Sequence, residues 1–361
     1  MFHHPDEVLG FGGKMGGREA PRLALAMGDP CGISPELTAG LLADEVVAGA
    51  AKLIVIGDRR VLALGESHAK VKLDLPVVKS EDDALAADGT VFWDLAHLDP
   101  AEVTLGEISL AGGQSALTNF NMAVDLGHKG QVGAVCFTPF NKAAMRLAHP
   151  SYEDEIVYMS EILSFDGKAS EFNILDGLWN ARVTSHVPLS EVAGLITEDI
   201  ILENIDLTHQ SLVASGIKSP RIGVAALNPH AGDNGNFGRE EIDVIGPAVE
   251  EGKRRGLGCD GPYPSDTVFV RARNGQFDAV LTMYHDQGQI AMKLIGFDKG
   301  VTLLGGYPFP VCTPAHGTAY DIAGEGMANL GASRNAILLG ARMASLASKN
   351  AAAGTETRMA G

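Results

Sequence analysis

The chain has 361 residues, 45% of them hydrophobic, which is enough for one large α/β unit or two lobes. Its formal net charge of −17 argues against a nucleic-acid partner, because proteins that bind a phosphate backbone need a basic surface. The sequence has no apolar run of about eighteen residues, no secretory signal and no paired cysteine spacing, so we expect a cytoplasmic protein without membrane contact.

From Arg22 onward, short apolar runs alternate with stretches of helical periodicity, which indicates an α/β architecture with a largely parallel core. The predicted strands are Leu23–Met27, Leu53–Gly57, Val91–Leu95, Val132–Thr138, Phe172–Leu175, Arg182–Ser185, Ile222–Leu227, Asp278–Met283 and Val301–Leu304. The predicted helices are Leu37–Ala48, Ser115–Leu126, Glu153–Leu163, Thr197–Ser215, Glu240–Arg255 and Asn335–Ser348. We expect residues 1–20 to be a flexible extension and residues 351–361 to be a frayed tail.

Three histidines lie in polar, turn-forming sequence directly after predicted strands: His186, His230 and His285. Three imidazoles at the ends of strands form the ligand set of an open catalytic metal site, which leaves positions for substrate or water. Taken alone, each histidine fits a structural or surface role better than a metal-binding one. The three together, with Asp, Gln and Asn beside them, favour a metal centre.

Two further segments follow predicted strands. Met27–Glu36 contains the Gly and Pro of a tight turn and opens a helix, and Glu36 lies in the first turn, where a carboxylate suits the helix dipole. Lys142 follows another strand, at the end of a sheet where open α/β folds bind ligands. A structural strand-to-helix turn and a solvated lysine are the alternative interpretations.

The segment Pro314–Asn329 is long and rich in small residues, so that a ligand can lie close to its backbone. Asp321 in this segment can accept hydrogen bonds from ribose hydroxyls. The GxGxxG fingerprint of an ordinary Rossmann site is absent, so a dinucleotide here needs a different fold. A simple glycine-rich loop is the alternative.

These segments resemble the 4-hydroxythreonine-4-phosphate dehydrogenase family over about residues 22–344. The motifs GDPCGISPE, SHVPL, LNPHAGDNGNFGREE, GPYPSDT, YHDQG and PAHGTAYDIAG stand in the family's order and approximate spacing. The stretch HGTAYDIAGEGMAN also looks like the NAD loop of isopropylmalate dehydrogenases, which are relatives of the same fold.

The resemblance implies a homodimer of two-lobed α/β/α subunits with an isopropylmalate-dehydrogenase-like fold. The active site is expected in the interdomain cleft, with both subunits contributing. We assign residues 21–125 and 295–350 to a lobe that carries the NAD loop. Residues 126–294 are assigned to a central lobe that carries the metal ligands and the dimer contacts.

The resemblance also implies roles for individual residues. Those that match the family's motifs are the metal ligands His186, His230 and His285, the substrate-binding Lys293, and the NAD-binding residues His316, Gly317, Thr318, Asp321 and Asn329.

The chain departs from the family where the substrate is held. The family usually has Gly-His-Thr-Glu where this chain reads Tyr152–Glu155, so that Glu153 and Asp154 replace a substrate-contacting His-Thr pair. Thr302 replaces an Asn, and Val311 replaces an Arg that would ordinarily hold the substrate phosphate. Two added carboxylates and a lost guanidinium disfavour a phosphate dianion. We expect Glu153, Asp154 and Thr302 to contact a substrate that lacks this phosphate.

The chemistry that we predict is NAD-dependent oxidation of a secondary alcohol β to a carboxylate, with decarboxylation of the product. A divalent ion (Zn²⁺, Co²⁺, Ni²⁺, Mn²⁺ or Mg²⁺) would lower the pKa of the substrate hydroxyl. Lys142 and Asp266 are the candidates for proton transfer or substrate positioning.

Three alternatives stay open at this point. A rebuilt phosphate site would allow oxidation of 4-hydroxythreonine 4-phosphate or of 4-phosphothreonate or 4-phosphoerythronate. A metal-dependent hydrolase or aldolase could use the same histidines without a nucleotide, although the NAD-like loop argues against it. A non-catalytic paralogue is the third, and the persistence of all three histidines weakens it.

Overall fold

The computed structural model describes residues 20–296 and 299–359. The predicted N-terminal extension lies outside the described residues except for Ala20. Within the described part of the chain, none of the helices combines the length and apolar character needed to span a bilayer.

The described residues form two compact units. The first unit contains residues 20–166, 299–303 and 307–359, and the second contains residues 167–296 and 304–306. The chain was expected to enter the central lobe at residue 126, but it does so at residue 167. The reason is that the strand after residue 126 pairs with the first strand of the chain, which keeps residues 126–166 in the first unit.

The strands are short and mostly buried. They are β1 (Arg22–Ala26), β2 (Lys52–Gly57), β3 (Val77–Val78), β4 (Val91–Asp94), β5 (Ala134–Phe137), β6 (Ser170–Leu175), β7 (Leu178–Arg182), β8 (Ile222–Ala225), β9 (Cys259–Tyr263), β10 (Ala279–Thr282), β11 (Val301–Gly305) and β12 (Val311–Pro314).

The helices alternate with the strands. They are α1 (Ser34–Leu42), α2 (Glu45–Ala50), α3 (Arg59–Ala69), α4 (Glu81–Ala86), α5 (Leu110–His128), α6 (Lys142–Ala148), α7 (Glu155–Leu163), α8 (Val192–Leu195), α9 (Glu198–Ala214), α10 (Gly246–Arg254), α11 (Ser265–Arg273), α12 (His285–Gly296) and α13 (Gly331–Met359). A π-helical turn, Glu241–Ile245, directly precedes α10.

The strand order in the first unit is β3-β4-β2-β1-β5-β12-β11. The neighbours β3/β4, β4/β2, β2/β1, β1/β5 and β5/β12 are all parallel. Strands such as β1 and β5 are almost wholly apolar and buried, as is expected of parallel strands covered on both faces. The carboxyl ends of β1, β5 and β12 therefore meet at one edge of this unit.

The strand order in the second unit is β6-β7-β10-β8-β9. The strands β7, β10, β8 and β9 run parallel to one another, and β6 is antiparallel to β7. The predicted α/β class with a largely parallel core is confirmed.

Two predicted elements differ in position. The strand predicted at Arg182–Ser185 was wrong, because β7 ends at Arg182 and the next residues form a turn. The helix predicted at Leu37–Ala48 is divided into α1 and α2. The division occurs because the side chain of Asp44 accepts hydrogen bonds from the backbone N–H groups of Val46 and Val47 and caps a new helix.

The C-terminal tail was also predicted incorrectly. Helix α13 continues to Met359 instead of fraying at residue 351. The segment is rich in alanine, the residue with the highest helix propensity, which accounts for the continuation. The last two residues lie outside the described part of the chain.

Candidate functional site

In the second unit, the three predicted metal ligands follow three neighbouring parallel strands. His186 follows β7, His285 follows β10 and His230 follows β8, and β10 lies between the other two strands. Because parallel strands end at the same edge of a sheet, all three histidines belong to the carboxyl edge of this unit.

His186 and His285 lie next to each other, with ring centroids 5.8 Å apart. Their loops are tied by backbone hydrogen bonds, since Val183 N–H donates to Thr282 O at 2.8 Å and Thr184 N–H donates to Met283 O at 3.1 Å. The register of β7 and β10 therefore continues past the strand ends and brings the two imidazoles together.

His230 is held in an unusual backbone conformation. Residues 230–234 all have positive φ angles, between 43° and 77°, which is a left-handed helical turn. Four of the five residues are not glycine, and the left-handed conformation costs about 1–2 kcal/mol for each such residue. A strained segment of this kind persists only where the surrounding structure enforces it, and such segments concentrate at functional sites.

A buried carboxylate enforces the base of this turn. Glu241, in the π-helical turn before α10, accepts the backbone N–H groups of Leu227 at 2.9 Å and Asn228 at 2.7 Å. Its other oxygen accepts from the Asn228 side chain at 3.1 Å. An added side chain at Gly232 would lie 2.6 Å from Glu241 Oε2, so this position requires glycine. We call residues 227–235 the His230 loop.

The donors fit a divalent ion in their chemistry. His285 Nδ1 lies 2.7 Å from Asp286 Oδ1, the carboxylate contact that commonly orients a metal-binding imidazole and leaves Nε2 for the ion. His186 and His285 are adjacent, whereas His230 packs against Phe237 with ring centroids 6.1 Å apart. Among the described residues, no group of three or more His, Cys, Asp or Glu side chains is gathered closely enough to hold an ion. The structure thus shows a pair of facing ligands and a third on a separate loop.

Two other predicted site residues belong to the second unit. Asp266 lies in the first turn of α11, which follows β9, the next parallel strand after β8. It is exposed at the same edge as the histidines. Lys293 lies on α12, which begins at His285, and its side chain is exposed.

In the first unit, the loops after β1 and β5 are locked together. Gly28 N–H donates to Thr138 Oγ1 at 2.8 Å, and Asp29 N–H donates to Pro139 O at 3.0 Å. A side chain at Gly28 would lie only 2.2 Å from Thr138 O, so glycine permits the close approach. Lys142 begins α6 directly after this contact and is exposed, as predicted for a residue at a strand's carboxyl end.

Glu36 organises the segment predicted to bind NAD. Its buried carboxylate accepts three backbone N–H groups from the loop after β12, those of Gly324 at 3.1 Å, Gly326 at 3.2 Å and Ala328 at 3.1 Å. At the other end of the loop, Thr318 O accepts from Ile33 N–H at 3.0 Å. The first turn of α1 therefore serves as the template for the whole loop.

The buried Asp29 fixes the middle of the same loop. Tyr320 donates its hydroxyl to Asp29 Oδ2 at 2.6 Å, and Cys31 N–H donates to Oδ1 at 2.9 Å. Burial raises the pKa of the Asp29 carboxyl above its usual value of 3.8, and these hydrogen bonds offset only part of that effect.

The remaining residues predicted to bind NAD are spread along this loop. His316 Nδ1 lies 3.0 Å from Gly317 O, and Thr318 is buried. Asp321 is exposed. Asn329 accepts Gly331 N–H at 2.8 Å and so lies at the start of α13. His316 and Asn329 thus make contacts within the loop, whereas Asp321 faces solvent.

The residues that replace the family's substrate contacts have local structural roles. Asp154 caps α7 by accepting Val157 N–H at 2.9 Å, and Glu153 beside it is exposed. Val311 lies in β12 and is fully buried, while Thr302 in β11 is 8% exposed. No cation is supplied at position 311, and the N-terminus of α7 carries acidic residues.

Sequence reasoning missed the side chains that shape the loops. Glu241 and Gln287 are buried or half-buried and bond to backbone groups near the histidines. The sequence indicates that Glu36 suits the helix dipole. It does not predict that the carboxylate bonds to residues 288 to 292 positions later in the chain. Acidic residues in a first helical turn normally face solvent, so only their position within the glycine-rich motifs hinted at these roles.

Comparison with known proteins places these features in context. Residues 49–340 match the family model of the "Pyridoxal phosphate biosynthetic protein PdxA". The chain is 59% identical over 327 residues to the "Putative 4-hydroxythreonine-4-phosphate dehydrogenase 2" of Rhizobium meliloti (strain 1021), which covers 90% of this chain and 93% of that protein.

Solved structures agree with these matches. A 4-hydroxythreonine-4-phosphate dehydrogenase from Klebsiella pneumoniae superimposes with a TM-score of 0.79 at 32% identity, covering 90% of this chain and 98% of that one. A terephthalate 1,2-cis-dihydrodiol dehydrogenase from Burkholderia xenovorans LB400 superimposes with a TM-score of 0.60 at 27% identity, covering 91% and 98%.

Proposed function

The chain belongs to the family of the pyridoxal phosphate biosynthetic protein PdxA, and we propose that it is an NAD-dependent, divalent-metal-dependent dehydrogenase of a secondary alcohol β to a carboxylate. The observation that carries this proposal is the delivery of His186, His285 and His230 by three neighbouring parallel strands to one edge. Support for the nucleotide comes from the loop after β12, whose shape is set by the bonds of three backbone N–H groups to Glu36 and in which Asp321 is exposed.

In this proposal each group has a defined task. The chemistry supplied by the bound groups would be Lewis acidity toward the substrate hydroxyl from the ion and a hydride acceptor from NAD⁺. His186, His230 and His285 would hold the ion, and Asp321 would accept hydrogen bonds from the ribose hydroxyls. Asp266 and Lys142 are the candidates for proton transfer or substrate positioning. The oxidised product is a β-keto acid, and because such acids lose CO₂ readily, we include decarboxylation in the proposal.

We further propose that the substrate lacks a phosphate. A helix N-terminus favours an anion, but Asp154 and Glu155 already occupy that end of α7. Val311 is fully buried, and it lies at the position where the family usually has an arginine. The second candidate is a phosphorylated hydroxy acid such as 4-hydroxythreonine 4-phosphate or a 4-phosphothreonate, which the names of the relatives favour.

We also propose that the protein is a homodimer through its second unit. The outer face of α12 exposes Ile290 and Leu294, at 61% and 83%, one helical turn apart, and Leu189 after β7 is 69% exposed. Ile290 and Leu294 form an apolar patch on neighbouring turns of α12, and apolar surface patches mark candidate interaction sites.

Metal dependence tests the proposal. NADH formation by the protein should stop on treatment with a chelator and return with Co²⁺ or Zn²⁺. His230→Ala should lower kcat/KM about a thousandfold, since Lewis-acid catalysis supplies several kcal/mol. His128→Ala, at an exposed position on α5, is the matched control and should keep full activity. Turnover that survives both the chelator and His230→Ala would exclude the proposed metal site.

A further inference from the structure

Phe237 presents an aromatic ring to solvent beside His230. Its side chain is 52% exposed, whereas every other phenylalanine that the structure describes is buried or half-buried. The centroid of its ring lies 6.1 Å from that of the His230 ring, and the two planes are inclined by 48°. His230 is also exposed, so the two rings lie side by side at the surface. Burial in the core therefore does not account for an aromatic residue at this position.

The backbone on both sides of the Phe237 ring is fixed. Phe237 N–H donates at 3.1 Å to the carbonyl oxygen of Gly232, the buried residue of the His230 loop. Gly238, the next residue, has a φ angle of 133°, and an added side chain there would lie 2.4 Å from Asn228 Nδ2. The segment that carries the ring is thus held in one conformation, and a preorganised contact surface lowers the cost of binding a ligand.

The surface around the Phe237 ring suits an apolar group. Ile242, in the π-helical turn, is 46% exposed, and an added side chain at Gly235 would lie 3.6 Å from its Cδ1 atom. The guanidinium of Arg239, the cation nearest to Phe237 along the chain, is occupied by Asp243 through hydrogen bonds of 2.8 and 2.9 Å. An apolar, planar part of a ligand fits this surface better than a phosphate does.

We infer that Phe237 determines substrate specificity by packing against the apolar face of a ring, so that ring-bearing hydroxy acids are preferred to open-chain ones. The assignment rests on the proposed function, because it places the substrate beside His230, and it is independent of which side chains hold the ion. An aromatic side chain offers a large apolar face with a defined geometry. A substrate without a phosphate needs such a contact, since the charge-assisted bonds of a phosphate are not available to hold it.

The test compares kcat/KM for a cis-dihydrodiol carboxylate, whose alcohol lies on a ring, with kcat/KM for an unphosphorylated four-carbon hydroxy acid. Phe237→Ala should lower the value for the ring substrate about 10-fold and leave the other value within about 2-fold, because only the ring loses an apolar contact. The loss should appear in KM rather than in kcat, since the ring is contacted equally in the bound substrate and in the transition state.

Three further variants serve as controls. Phe237→Tyr keeps the aromatic face and should retain the preference of the wild type. Val213→Ala removes an apolar side chain that is 47% exposed on α9 and should change neither value. Should Phe237→Ala fail to fold by near-ultraviolet circular dichroism, Phe237→Leu keeps an apolar side chain beside His230 and should show a loss of about 3-fold for the ring substrate alone.

The outcomes separate the two claims. An equal fall for both substrates overturns the inference, because Phe237 would then act through His230 or through the fold. Unchanged kinetics in Phe237→Ala, or a wild type that prefers the four-carbon acid, also overturns it, as does a change of mass on size exclusion, which would assign the ring to a contact between subunits. A wild-type protein that forms NADH from no hydroxy acid overturns the proposed function and the inference with it. A loss confined to the ring substrate supports both.

Discussion

Single buried side chains shape both candidate sites. Glu36 gathers three backbone N–H groups of one loop, and Glu241 gathers two at the base of another. A carboxylate is suited to this task, because each of its oxygens accepts more than one bond and charge-assisted bonds are the stronger ones. At the residue scale, these two carboxylates accept the backbone N–H groups that a helix or a sheet would otherwise satisfy.

We predict that Glu36→Gln weakens nucleotide binding. The amide nitrogen of Gln would face N–H donors of the loop, and each buried group left unpaired costs about 1–3 kcal/mol. NADH affinity, measured by fluorescence titration, should fall about 10-fold or more. Glu45→Gln, an exposed acid in the first turn of α2, is the matched control. Unchanged affinity in Glu36→Gln would contradict the role given to this loop.

We predict a pH-dependent stability difference for Asp29→Asn. Burial raises the native pKa of Asp29 above 3.8, so the native state binds this proton more tightly than the unfolded state does. The stabilisation is complete below pH 3.8 and is lost as the pH rises through the native pKa. The unfolding free energy of the wild type should therefore fall across that window relative to Asp29→Asn. A parallel pH dependence of the two proteins would contradict this.

At the scale of elements, strand ends could be predicted and loop conformations could not. Apolar runs placed β8 and β10 within two residues of their observed ends, so the positions of His230 and His285 after strands followed directly. The left-handed turn at residues 230–234 could not be predicted, because local preference opposes it and only Glu241 and Gly232 enforce it. The short strand β12 and the true position of β7 were likewise missed, since their sequences lack a clear alternation.

Helix α7 provides a test of substrate choice at this scale. Glu153→His/Asp154→Thr restores the residues that the family usually has, and Thr can still cap the helix. Removal of two negative charges from this helix end should raise kcat/KM for a phosphorylated hydroxy acid about 10-fold relative to its unphosphorylated counterpart. Both values of kcat/KM are measured from the rate of NADH formation at saturating NAD⁺. No change in this ratio would show that the α7 end does not meet the substrate.

At the scale of the whole molecule, the motifs carried more information than the composition. Six short segments identify the family, and the alternation of elements predicts the α/β fold; both are confirmed. The boundary between the two units was misplaced by about forty residues, because it depends on which strands pair and no local signal marks it. Long-range contacts such as those of Glu36 are set by the same pairing.

We predict that Leu294→Glu prevents association of the proposed dimer. Leu294 is 83% exposed on α12, and a charge at the centre of an apolar interface would be buried without a partner. Light scattering after size exclusion should change from the mass of two chains to that of one. Val46→Glu, at a position 52% exposed in the first unit, should leave the mass unchanged. A wild-type protein with the mass of one chain would contradict the proposal.

The most direct test of the central claim is NADH formation by the metal-loaded protein on paired β-hydroxy acids that differ only in a phosphate. The pairs should include dihydrodiol carboxylates beside four-carbon sugar acids. We predict turnover of an unphosphorylated member, abolished by a chelator and by His230→Ala. Turnover confined to the phosphorylated members would contradict our interpretation of Asp154, Thr302 and Val311, and would show that other residues supply the phosphate site.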